Sequence, residues 1–164
     1  MDLIKKINSI YQKNQNIEIY LDMDGTIVEF LFDNENSFMK KGKYLKKRPI
    51  MPILNTIEII KEKYPLIVFK ILSCSSTNQM KEEKNAWIDK YIPYICRKNR
   101  IIFSKENGDY SDETISTIKA TYLLKESSNS NILFLIDDNV KILMEVQKLG
   151  KNNIIPIHVT SLLL

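Results

Sequence analysis

Histidine is nearly missing from this chain: among 164 residues there is only His158. That scarcity excludes His–Cys zinc fingers and His-His-Glu zinc proteases, and it leaves a Ser-His-Asp triad no imidazole but this one. His158 falls in a late strand without a second histidine, and no catalytic role is expected of it. Cysteine is almost as rare. Cys74 and Cys96 match no metal-ligand spacing and allow at most one disulfide, so reduced thiols in a cytoplasmic setting are the expectation. Four glycines and five prolines are too few for a collagen-like or Gly/Pro-rich disordered chain. No apolar run approaches the roughly 20 residues that span a bilayer. The opening MDLIKKINSIYQKNQ lacks the apolar core and small-residue site of a secretory signal, so no membrane association is expected.

What is present is 44% hydrophobic and 27% charged residues, which fits one compact domain over 1–164 with a sizeable core. The net charge of +4 is mild. Its densest run, Lys40, Lys41, Lys43, Lys46, Lys47 and Arg48, reads most simply as a solvated face, with contact to an anionic ligand as the alternative.

Apolar spacing predicts alternating helices and strands. Helices are expected over 2–13, 53–63, 78–91, 112–126 and 139–149, with Asp112 as an N-cap and Gly150 as a C-cap. Strands are expected at 17–21, 65–73, 100–104, 131–138 and 153–159. Trp87 is expected in the core. Strands alternating with helices imply βαβ units and a mostly parallel sheet, an α/β three-layer sandwich. One irregular insertion, about 27–50, follows the first strand directly and so lies at the carboxyl edge of the sheet, where ligands of open α/β sheets bind.

Three strand ends carry polar groups: Asp22 and Asp24 after the first, Ser73 after the second, Asp137 and Asp138 after the fourth. In a parallel sheet these ends share one edge, so carboxylates far apart in sequence converge. Like charges so placed resist ionising together. A hard divalent cation relieves the repulsion, and Mg²⁺ suits a site of few carboxylates, water and phosphate oxygens.

Asp22-Met23-Asp24-Gly25-Thr26 after an apolar strand, followed much later by Asp137-Asp138, resembles the haloacid-dehalogenase-type (HAD) phosphatases. Ser73 stands at the family's second motif and Lys119 at its third, with Lys105 as a rival lysine. The insertion, RPIMP and NAWIDKYIP are most similar to the cytosolic 5′(3′)-deoxyribonucleotidase branch. The resemblance implies a HAD-like Rossmannoid fold with a small cap. It also implies a Mg²⁺-dependent phosphomonoesterase, with Asp22 as nucleophile forming an aspartyl-phosphate and Asp24 as general acid and base. Ser73 and Lys119 would bind the phosphoryl oxygens, and Gly25 would let backbone approach them. The Asp22 carboxylate, the Asp24 carbonyl and Asp137 would hold the metal, with Asp138 behind them.

Around this centre, Cys74 and Ser75 adjoin Ser73 as substrate-side candidates, although Ser75, Ser76 and Thr77 equally suit a loop leading into a helix. Phe30, Phe32, Phe38 and Tyr44 lie in the insertion, where rings either stack on a nucleobase or pack a small cap. Arg48 either meets phosphate or stays exposed. A (deoxy)nucleoside monophosphate is the expected substrate. The alternatives are another small metabolite, a phosphoprotein, a polynucleotide end, or a non-catalytic binding module. No stable nucleic-acid complex is expected, and the apolar tail Ser161-Leu162-Leu163-Leu164 suits either intramolecular packing or a homodimer.

Overall fold

The computed structural model describes residues 3–30 and 40–163. Five apolar runs form one sheet: β1 (Ile17–Leu21), β2 (Val68–Ser75), β3 (Arg100–Ser104), β4 (Ile132–Asp137) and β5 (Ile154–His158). Every pairing is parallel, in the order β3-β2-β1-β4-β5. Between and before them run α1 (Leu3–Tyr11), α2 (Met51–Lys63), α3 (Asn78–Tyr91), α4 (Ile118–Glu126) and α5 (Val140–Lys148).

Successive strand residues point to opposite faces, and the core divides accordingly. Ile17, Ile19 and Leu21 pack with Leu3 and Ile7 of α1, Ile57 of α2 and Trp87 of α3. Tyr20 packs on the other face with Leu123 of α4 and Val146 of α5. With both faces covered, the central strands read as nearly unbroken apolar runs. This is a three-layer α/β sandwich. Among the described residues no helix is long and apolar enough to cross a membrane.

Four boundaries that differ from the sequence expectation have a local reason. β2 starts at Val68, three residues later than expected, because Ile67 N–H closes a turn onto the Tyr64 carbonyl. At its other end β2 runs on through Cys74 and Ser75, which pair with Phe103 and Ser104, so the polar SCS stretch is strand and not loop. α4 begins at Ile118 instead of 112. Asp112 does not cap it; its carboxylate takes the Lys105 ammonium at 2.6 Å. α2 begins two residues early because Pro52 sits in its first turn, where a missing N–H costs nothing.

The feet of the insertion are zipped together. Val28 bridges both Asp24 and Pro49, Glu29 N–H donates to the Arg48 carbonyl, and Ile27 and Val28 are fully buried. The returning arm leans on α3: the Glu83 carboxylate accepts from Gly42 N–H and Tyr44 N–H, and Trp87 Nε1–H donates to the Lys47 carbonyl at 3.0 Å. Phe32 and Phe38 lie outside the described residues.

Candidate active site

β1 and β4 are neighbours whose onward connections lead to opposite sides of the sheet, which opens a crevice at their carboxyl ends. Asp22 extends the ladder one step past the Leu21–Ile136 pair, its N–H donating to the Ile136 carbonyl at 3.0 Å. That step sets the Asp22 carboxylate beside Asp137. The chain then turns sharply: Thr26, Ile27 and Val28 all direct their N–H groups at the Met23 carbonyl. Gly25 takes φ +80 in this turn, and a Cβ there would lie 2.2 Å from Asp138 Oδ2. Gly25→Ala is therefore expected to cost about 1–2 kcal/mol from the left-handed backbone alone, and to push Asp138 aside. A thermal melt in which Gly25→Ala matches wild type would contradict this.

Lys119, in the first turn of α4, is buried and places Nζ 2.6 Å from Asp22 Oδ1 and 2.6 Å from Asp137 Oδ2. The remaining Asp137 oxygen, Oδ1, accepts the Asn139 N–H that opens α5. Lys105, the rival, is at the surface with Asp112.

Asp24 is held by a second set of groups. Lys84 Nζ donates to Asp24 Oδ2 at 2.6 Å, to Ser73 Oγ at 3.0 Å and to the Cys74 carbonyl at 2.6 Å. Lys47 Nζ at 2.9 Å and Tyr44 Oη at 3.0 Å both donate to Asp24 Oδ1. Lys84 falls outside every site expectation of the sequence, and Lys47, expected in a solvated lysine run, is buried instead. Each carried a signal: Lys84 falls in the Met80-Trp87-Ile88 stripe of α3, where a lysine must find a buried partner, and Lys47 follows the buried Tyr44 by one turn.

These groups surround a cavity of about 440 Å³ whose lining includes Asp22, Asp24, Ser73, Cys74, Lys119, Asp137, Asp138 and Phe30. Four expected positions lie elsewhere. Ser75 is buried and spends its hydroxyl on the Phe103 carbonyl of the neighbouring strand β3. Arg48 is exposed, with its backbone tied to Glu29. Ser76 contacts Met80, and Thr77 caps α3 by accepting from Met80 N–H. Tyr44 reaches the site through its hydroxyl, with its ring buried. His158 bonds Thr160 Oγ1 and the Asp138 carbonyl, a bracing position behind the acidic strand end.

Burial acts to raise the proton affinity of Asp22, Asp24 and Asp138, and the lysines decide where that holds. At Asp24, Lys84 and then Lys47 outweigh burial and lower the carboxyl to about 2. At Asp22 burial prevails: Lys119 pulls down, Asp137 pushes up, and the net direction is upward. Asp138 is raised by burial and by Asp22. Lys119 is pushed above the ordinary lysine range, since Asp22 and Asp137 overcome its desolvation.

Burial also lifts the Cys74 thiol to about 11, against the pull of Lys119 and Lys84. At pH 8 only about one part in a thousand is then thiolate. Cys96 is exposed. One fast thiol is expected per native chain in titration with an aromatic disulfide reagent, and two after denaturation in urea. Two equally fast native thiols would contradict the raised Cys74 thiol.

Oxygens of Asp22, Asp137 and Asp138 lie within 4.8 Å of one another. This all-oxygen, anionic set suits a hard divalent cation such as Mg²⁺. The Asp24 carboxylate is not among them, being turned to its lysines, so any share of Asp24 in a metal site falls to its backbone.

No family model matches this sequence, and no curated protein matches it. Two solved structures are similar in fold. One is a chain of the Pnkp1/Rnl/Hen1 RNA repair complex, with TM-score 0.58 and 16% identity over 87% of this chain and 42% of that one. This chain thus spans less than half the length of that neighbour. The other is the HAD domain of the effector protein Lem4 from Legionella pneumophila, with TM-score 0.51 and 14% identity over 88% of this chain and 86% of that one. Five parallel strands, helices on both faces and the likeness to a HAD domain together establish a HAD-like, Rossmann-type fold for this chain.

Proposed function

We propose that this protein is a Mg²⁺-dependent phosphomonoesterase acting on (deoxy)nucleoside monophosphates. The observation that carries the reading is the convergence of Asp22, Asp24, Ser73, Lys119 and Asp137 on one cavity at the β1–β4 crevice. Asp22 attacks phosphorus, forming an aspartyl-phosphate and releasing the alcohol. Asp24 donates the proton the leaving oxygen takes up, then removes one from the water that hydrolyses the intermediate. Lys84 spans Asp24 and Ser73, so it orients the acid–base carboxylate against the hydroxyl that meets the phosphoryl oxygens. A phosphoryl group entering the cavity beside Asp24 brings like charge against it and raises its proton affinity. Lys119 screens Asp22 from Asp137, so the nucleophile can approach an anionic ester. A Mg²⁺ ion held by Asp22 and Asp137, with Asp138 beside them, would supply charge neutralisation for the phosphoryl oxygens.

Phe30 lines the cavity and lies under the Lys47 ammonium at 5.8 Å, which supports a flat, polarisable group as the alcohol portion. A second reading, a phosphorylated polynucleotide end, is favoured by the fold likeness to a chain of an RNA repair complex. Hydrolysis of a panel of 3′- and 5′-nucleoside monophosphates, sugar phosphates and phosphorylated oligonucleotides with Mg²⁺ tests both. Preference for mononucleotides is expected. Preference for oligonucleotide ends selects the second reading, and failure on every ester overturns the phosphatase assignment.

A further inference from the structure

We propose that Lys119 competes with the divalent cation for Asp22 and Asp137, so that cation binding is linked to withdrawal of this ammonium from the carboxylate pair. The inference rests on the reading that the acidic cluster takes Mg²⁺. Its basis is the accounting of the Asp137 oxygens. Oδ2 takes Lys119 Nζ at 2.6 Å and Oδ1 takes the Asn139 N–H at 2.9 Å, with the side chain 1% exposed. A cation reaching Asp137 must therefore share an oxygen with a charged ammonium or with the amide that opens α5. At Asp22 only Oδ1 is bonded to Lys119, so the conflict concentrates at Asp137.

An ammonium this close to two carboxylates neutralises the charge that would attract the metal, and it repels the metal directly. The same contact keeps the metal-free site folded, since without Lys119 the buried carboxylates of Asp22 and Asp137 would lose their shared counterion. Lys119 is thus a built-in cation at rest. When Mg²⁺ arrives, the flexible four-carbon stem lets the ammonium turn toward the phosphoryl group, tying cation binding to phosphate recruitment.

The test is calorimetric titration of Mg²⁺ into wild type, Lys119→Met and Lys119→Arg, with melts of each in EDTA and in Mg²⁺. Lys119→Met removes the charge and keeps the bulk. It is expected to bind Mg²⁺ at least about tenfold tighter, to melt below wild type in EDTA, and to gain more from Mg²⁺ than wild type does. Lys119→Arg keeps the charge and is expected to stay within a fewfold of wild type. Should Lys119→Met not fold in EDTA, folding on addition of Mg²⁺ supports competition, and Lys119→Gln then provides the affinity. Equal or weaker Mg²⁺ binding in the uncharged variants overturns competition and leaves the cation site standing. Absence of Mg²⁺ binding in wild type and variants alike overturns the site as well. None of these readouts depends on turnover.

Discussion

Asp22→Asn is expected to lower hydrolysis of an aryl phosphate by on the order of 10⁴–10⁶-fold, the scale seen when an enzyme's nucleophile is removed. The substitution nearly preserves shape, so Lys119 keeps Asp137 as a partner and the Asp22 N–H bond to Ile136 is untouched. What is lost is the anionic oxygen. An amide does not displace an alkoxide or phenoxide from phosphorus, so no covalent intermediate forms. Stability should change little. Asp22 is a buried carboxylate whose ionisation burial already opposes, so removing its charge relieves repulsion with Asp137 while losing one contact to Lys119. Parallel melts and steady-state rates check the prediction. Residual turnover within tenfold of wild type would remove Asp22 from the role of nucleophile.

The second large effect is expected at a residue that no motif identifies. Lys84→Met should destabilise the protein by about 3–5 kcal/mol, the usual result of taking one partner from a buried ion pair. For a chain of this size that is a fall in Tm of roughly 6–20 °C. Lys84 is essentially unexposed and its three bonds tie β1, the end of β2 and α3 together through Asp24, Ser73 and Cys74. Methionine fills the stem's volume but leaves Asp24 Oδ2, Ser73 Oγ and a carbonyl without that donor. Lys47 and Tyr44 still hold Asp24 Oδ1, which is why the fold is expected to survive. Turnover should fall through kcat more than KM, because Asp24 loses its orientation. Lys105→Ala is the comparison. Its exposed pair with Asp112 is worth at most about 1 kcal/mol. A Lys84→Met protein as stable as Lys105→Ala would refute the buried tether.

Much of this site is visible in the chain because parallel topology turns one-dimensional pattern into position. An apolar run followed by Asp22-Met23-Asp24, and another ending in Asp137-Asp138, must bring their acids to one edge if both runs are parallel strands. Hydrophobic periodicity was enough to say that they were. The same logic misplaced Ser75. It treated polar residues after Ser73 as loop, whereas the ladder to β3 continues through them and the Ser75 hydroxyl is taken up by the Phe103 carbonyl. Asp112 misled for a related reason: an N-cap is a local preference, and a nearby lysine offered its carboxylate a stronger partner.

By itself, then, the sequence determined the α/β class, the order of strands and helices, and the edge where the carboxylates gather, since these follow from local periodicity and from the chirality-independent rule that parallel strands end together. Only the tertiary structure set Lys119 over its rival Lys105 and added Lys47 and Lys84 to it. With 24 basic residues in the chain, most solvated, local pattern distinguishes poorly between a surface lysine and a buried one. Burial does: Lys47, Lys84 and Lys119 are drawn inside because the converging acids need counterions, and that convergence exists only once β1, β2 and β4 stand side by side. The near absence of histidine acquires its meaning there as well. Carboxylates and ammoniums fill the crevice, and the lone imidazole of His158 stands behind it, bonded to the Asp138 carbonyl.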